Sequence, residues 1–145
     1  MTARGRVGRA LALGLLLASC SEPAQLEGRV DLERLRNAEH EPGQWLALGG
    51  GFRAERFSRL AQLDADNATA LGFAWEYEAR SRRGRVEHGQ EATPIVVDGV
   101  LYVSGPWGSV FAVDAKTGAE RWRYDPEVDG RYARHACCDV VNRGV

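Results

Sequence analysis

Between residues 71 and 124 the chain alternates short runs of β-branched and aromatic residues with clusters of turn residues, the signature of half-buried strands. Five runs qualify, at residues 73–77, 93–97, 100–103, 109–113 and 120–124. Asp98-Gly99 separates the second from the third. A two-residue turn needs positive φ, which Asp and Gly tolerate, so these two runs are predicted to pair as a hairpin. Gly105-Pro106-Trp107-Gly108 and Asp114-Ala115-Lys116-Thr117-Gly118 provide the next two turns, and the predicted architecture is an antiparallel meander. Upstream, Leu32, Leu35 and Ala38 are spaced as on a helix, so a short helix is predicted to begin near Asp31. Residues 45–63 mix glycine, arginine and isolated aromatics without period. Gly49-Gly50-Gly51 is not followed by the Lys-Ser or Lys-Thr of a phosphate loop and reads as an irregular segment laid over a larger body.

The amino terminus has a different pattern. Arg4, Arg6 and Arg9 precede an apolar run over residues 10–17, and Ala18-Ser19 lead into Cys20. This is the charged, apolar, small-residue order of an export signal, and the run is shorter than the roughly 20 residues that span a bilayer. Leu17-Ala18-Ser19-Cys20 resembles the bacterial lipobox, which implies lipid on Cys20 and a membrane-anchored, periplasmic protein; the alternative is a plain secretory signal. The expected division is a signal over 1–19, a tether and N-terminal segment over 20–44, and the β-rich body over 45–145.

Composition narrows the function classes. The 145 residues carry 19 basic and 20 acidic side chains, a formal charge of −1 that falls to −4 without residues 1–19. There is no basic excess for a broad grip on nucleic acid. Three cysteines are too few for a disulfide-stapled miniprotein or a four-cysteine zinc site. With Cys20 lipidated, Cys137 and Cys138 are the remaining thiols, adjacent in an oxidising compartment and able to bond each other, a partner chain or nothing. His40, His88 and His135 are too widely separated for a helical metal pair, and Trp45, Trp75 and Trp107 read as packing groups.

Two runs share Trp-x-Tyr, at Trp75 and Trp122, 47 residues apart, which is the period of a propeller blade; on the recurrence alone a small β-sandwich competes. Ala112, Asp114, Thr117, Gly118 and Trp122 then fit A-x-D-x-x-T-G-x-x-x-W, which resembles the tryptophan-docking motif of quinoprotein propellers. In that motif the indole packs between neighbouring blades. The motif speaks to architecture, because non-catalytic propellers carry it too.

Further segments are more specific. Gly89-Gln90-Glu91-Ala92-Thr93-Pro94, Ala133-Arg134-His135-Ala136-Cys137-Cys138-Asp139 and Val140-Val141-Asn142-Arg143-Gly144 resemble, in order and spacing, the pyrroloquinoline quinone (PQQ) dependent alcohol dehydrogenases. Tyr132 to His135 and the Trp107 loop are similar to the quinohaemoprotein branch, which carries an added haem domain. The resemblance implies an all-β fold, the first part of an eight-bladed β-propeller, with about one four-stranded blade and an N-terminal segment present. Eight blades need at least ~320 residues; 126 follow residue 19.

The resemblance also implies site residues. Cys137 and Cys138 would form a vicinal disulfide serving as a rigid platform over the quinone ring, Arg143 would donate to the quinone oxygens, and Glu91 would hydrogen-bond the cofactor. PQQ has three carboxylates and an ortho-quinone, so its rim needs cations and donors, and a guanidinium is a permanently charged planar fork. The implied activity is oxidation of a small alcohol to an aldehyde or ketone, with cytochrome c or a quinone as electron acceptor. Calcium ligands and the aspartate base of the family lie at positions beyond Val145, as does any haem c site, so no catalytic or metal-binding residue is assigned in this chain. Alone, it is expected neither to hold PQQ nor to oxidise ethanol. The competing readings are a non-catalytic propeller lipoprotein acting as an envelope assembly scaffold, for which the stretch from Cys137 to Arg143 has no use, and a small self-contained β-domain with a binding role.

Overall fold

A computed structural model of the chain describes residues 28–80, 90–135 and 140–144. Its centre is a four-stranded antiparallel sheet in sequential order: β1 (Ile95–Val97), β2 (Val100–Ser104), β3 (Val110–Asp114) and β4 (Glu120–Tyr124). Four of the five predicted runs are therefore strands, with ends shifted by two residues or fewer. The Asp98-Gly99 turn has φ of +49° and +77°, the left-handed pair that a tight hairpin demands. Val97 faces Val100, Val103 faces Phe111, and Ala112 faces Trp122; a register shift at Ala112/Val113 sets Val113 opposite Glu120.

Register sorts the side chains onto two faces. Leu101, Val103, Phe111 and Val113 share one face, and the partly buried Trp75, Tyr77, Ala79 and Ala92 pack against that cluster. Tyr102, Ala112 and Trp122 share the other, where the Tyr102 and Trp122 rings lie 5.9 Å apart. The fifth predicted strand is corrected here: residues 73–77 pair with no strand among the described residues. They belong to a segment whose alternate residues 75, 77 and 79 are half-buried while 76, 78 and 80 are exposed. The period-two pattern is present, but its apolar side lies flat on the sheet and the backbone does not join the sheet's edge.

The predicted helix forms as α1 (Leu32–Arg36), with Asp31 Oδ1 accepting from the Arg34 amide at 2.9 Å as its N-cap. Behind it the Arg34 guanidinium bridges Glu41 (2.7 Å) and Asp98 (2.5 Å), and Gln44 Nε2 donates to Asp98 Oδ1 at 3.1 Å. The β1–β2 turn is thereby tied to the N-terminal segment. Hydrogen bonds from Arg34 first, then the Gly28 amide, hold the Asp98 carboxyl below its ordinary range. Trp45 adds a bridge along β1, exchanging both backbone bonds with Val96 at 2.9 and 3.0 Å. The segment around Gly49–Gly51 is irregular and, with Trp45, Phe52, Phe57 and Arg59, lines a cleft of about 280 Å³.

Candidate functional site

The β3–β4 turn is built by its own residues. Asp114 Oδ1 accepts from the amides of Lys116 (3.1 Å) and Thr117 (2.9 Å) and from the Thr117 hydroxyl (3.0 Å), while Arg121 donates to Oδ2 at 2.8 Å. These donors, Arg121 foremost, hold the Asp114 carboxyl far below its usual range. Gly118 closes the turn at φ +74° and lies under the Trp75 indole: a Cβ built there would stand 2.7 Å from the ring. Ala112 is fully buried opposite Trp122, whose own side chain stays 47% exposed. The motif residues thus form a turn and two tryptophan contacts, with no chemistry of their own.

The candidate chemistry lies elsewhere, where the chain's last described segment returns to the sheet. Arg143 Nη2 sits 2.9 Å from Glu91 Oε2, although 51 residues separate them in the chain. The two side chains remain 71% and 46% exposed, so the pair faces outward and the rest of the guanidinium is open to a ligand. Glu91 lies four residues before β1, and the neighbouring Ala92 packs on the core cluster. Backbone bonds fix the pair from both sides. The Thr93 amide donates to Arg143 O at 3.4 Å, and the Trp107 amide donates to Val140 O at 2.8 Å. Cys137 and Cys138 lie outside the described residues, as does Cys20. No group of three His, Cys, Asp or Glu side chains among the described residues could hold a metal ion.

The β2–β3 loop next to this segment is more constrained than a turn-rich sequence suggests. Trp107 is 6% exposed and adopts φ +64°, a left-handed conformation that costs a bulky residue about 1–3 kcal/mol. Gly105 donates to Ser109 O at 2.8 Å, and a Cβ on Gly105 would come within 2.8 Å of the Phe111 ring. Gln90 Nε2 donates to Ser104 O, joining the segment that carries Glu91 to the end of β2. The sequence marked this loop as a turn and Trp107 as packing. Its tie to Val140 was not legible, because a backbone bond between distant segments leaves no residue pattern; a bulky residue between Pro and Gly was the available hint.

Comparison with known proteins bears on the family and the fold. Residues 45–145 match the family model described as PQQ: glucose/ethanol/alcohol dehydrogenase, beta-propeller domain. The chain is 41% identical over 140 residues to quinohemoprotein alcohol dehydrogenase ADH-IIG of Pseudomonas putida, covering 94% of this chain and 19% of that protein. It is 50% identical over 103 residues to 1-butanol dehydrogenase (cytochrome c) of Thauera butanivorans, covering 71% of this chain and 14% of that one. The crystal structure of quinohemoprotein alcohol dehydrogenase from Comamonas testosteroni superposes with a TM-score of 0.69 at 47% identity, over 81% of this chain and 17% of that chain. The chain therefore spans less than a fifth of the length of these relatives.

Proposed function

This chain belongs to the β-propeller family of PQQ-dependent glucose, ethanol and alcohol dehydrogenases, and on that premise we propose that residues 45–145 form part of a PQQ site in a protein that oxidises alcohols to aldehydes or ketones. The contact between Arg143 and Glu91 carries the reading. The family resemblance singles out these two residues independently, in separate segments, and their side chains meet at 2.9 Å.

The donor set fits the cofactor. A tricarboxylate quinone needs permanent positive charge and N–H donors at its rim, and Arg143 presents a guanidinium paired with Glu91 and mostly exposed. Glu91 orients that fork and balances its charge, and the Glu91 carboxylate is itself an acceptor for a cofactor donor. When bound, PQQ supplies the two-electron acceptor for hydride from the alcohol carbon. Cys137 and Cys138 are placed by the reading as a platform over the ring, excluding water from one face. The calcium ion, the aspartate base and any haem c belong to parts of the protein outside these residues, and cytochrome c or a quinone takes the electrons onward. Residues 1–19 act as an export signal and Cys20 carries the lipid that holds the protein at the periplasmic side of a membrane. The scaffold alternative has no use for the contact between Glu91 and Arg143.

The test is a titration of the full-length apoprotein with PQQ, followed by absorbance and by dye-linked alcohol oxidation. Replacing Arg143 with Ala removes a charge-assisted donor pair and is expected to weaken PQQ binding on the order of 100-fold. Glu91→Gln, which keeps the side chain's size but frees the guanidinium, is expected to cost about tenfold. Unchanged PQQ affinity in both variants would remove these residues from the site.

A further inference from the structure

Arg143 lies on a segment with no regular secondary structure of its own, so its placement has to come from neighbouring loops. We propose that Trp107 is a positioning residue: its buried indole keeps the β2–β3 loop in the left-handed turn whose backbone amide fixes Val140, and with it the segment that presents Arg143. The inference deepens the cofactor reading and rests on it for the purpose of the arrangement, though not for the arrangement itself.

The argument starts from the backbone. A tryptophan at φ +64° persists only where its surroundings over-determine it. Here they do. The indole is almost entirely buried, the following Gly108 is at φ +74° beside Pro126, and the loop is closed by the bond from Gly105 to Ser109 O. Glycine at 107 would adopt this conformation without strain, whereas a tryptophan is held in it by the burial of its indole. With the indole buried, the Trp107 N–H is aimed at Val140 O at 2.8 Å.

Three residues further on, Arg143 O accepts from Thr93, on the same strand-leading segment as Glu91. The segment over residues 140–143 is thus clamped at both ends, by Trp107 at one and Thr93 at the other. The ion pair of Arg143 with Glu91 closes on the Thr93 side. Loss of the Trp107 wedge lets the loop relax to ordinary φ, turns its amide away from Val140 and leaves the segment tethered on the Thr93 side, by the longer Thr93 bond and the exposed ion pair with Glu91.

Amide hydrogen exchange reads this without any cofactor, since local opening of the clamp exposes Thr93 N–H to solvent. In the full-length apoprotein, Trp107→Ala is expected to raise exchange in peptides spanning 91–94 and 140–144 about tenfold, with β3 amides changed less than about twofold. Trp107→Phe, a smaller wedge on the same backbone, is expected to give an intermediate rise of about threefold. PQQ affinity of the same proteins is expected to fall in parallel, by about tenfold and threefold. A purely structural role would instead raise exchange throughout the sheet. Flat exchange at 91–94 and 140–144, or a rise shared equally by β3, overturns the proposal. If the alanine variant does not fold, the phenylalanine variant decides by the same measurement. A selective rise in the variants, with a wild-type protein that takes up no PQQ, would leave the clamp standing and overturn the cofactor reading instead.

Discussion

Trp75 and Trp122 begin the same Trp-x-Tyr signature, yet the two faces of one sheet treat them differently. On the first face Trp75 lies over Gly118, and Tyr77 meets Phe111 edge-on at a centroid distance of 5.7 Å. On the second, Trp122 sits above buried Ala112 beside Tyr102 and keeps nearly half its surface in solvent. The backbones differ in the opposite sense. Residues 120–124 are a strand paired along one side with β3, whereas 73–77 pair with nothing among the described residues. A Trp-x-Tyr run therefore specifies an extended backbone with one aromatic side, and the partner available decides whether that side is covered and whether the backbone joins a ladder.

The covered face is most sharply tested at Gly118. An alanine there adopts φ +74° and drives its Cβ into the Trp75 ring at 2.7 Å. Left-handed strain and overpacking together should cost about 3 kcal/mol, read as a lowered denaturant midpoint in the full-length protein. An unperturbed Gly118→Ala variant would mean that Trp75 does not dock on this turn. The open face comes next. The tryptophan-docking resemblance implies that another sheet covers Trp122 in the whole protein, so Trp122→Ala and Trp75→Ala should each cost about 2 kcal/mol there. If Trp122→Ala costs well under 1 kcal/mol while Trp75→Ala does not, the asymmetry between the faces is permanent, and no neighbouring sheet packs on β4.

How much of this was readable in advance depends on the range of the interaction. The hairpin at Asp98-Gly99, the Asp114 turn with its own Thr117 and Gly118, and the Asp31 cap of α1 all close within a few residues, so local residue types announce them. The Arg34 cluster is different. Asp98 is chosen for a tight turn, but its carboxylate also receives Arg34 from 64 residues away, and no local pattern separates that arginine from its seventeen fellows. Residues 73–77 fall between these cases. Their alternation was visible, whereas their partner was a sheet face, and period two is the same for a face as for an edge. In the candidate site, Glu91 and Arg143 were found through family resemblance; their types alone fit any solvated ion pair. Trp107 was legible as apolar but not as a backbone clamp, since φ is a property of the folded loop.

The smallest effect distinguishes how dry the covered face is. Tyr77 donates its hydroxyl to the Glu120 carboxylate, and Arg123, with its guanidinium 5.7 Å from the Phe111 ring centroid, pairs with the same carboxylate. Burial first, then the bond to Glu120, pushes the Tyr77 phenol up to about 12. The sign follows from which form is favoured: folding holds the neutral phenol, so this contribution is complete below the unfolded value near 10 and is lost as pH rises toward about 12. Tyr77→Phe removes one hydrogen bond and should cost about 1 kcal/mol at neutral pH. It should also flatten the alkaline decline in stability and remove a late-titrating step from the tyrosinate absorbance of the full-length protein. A Tyr77 phenol that ionises near 10 alongside exposed tyrosines would place water between the 75–79 segment and the sheet. The packing of that segment on Phe111 would then be looser than the contact of Trp75 with Gly118 implies.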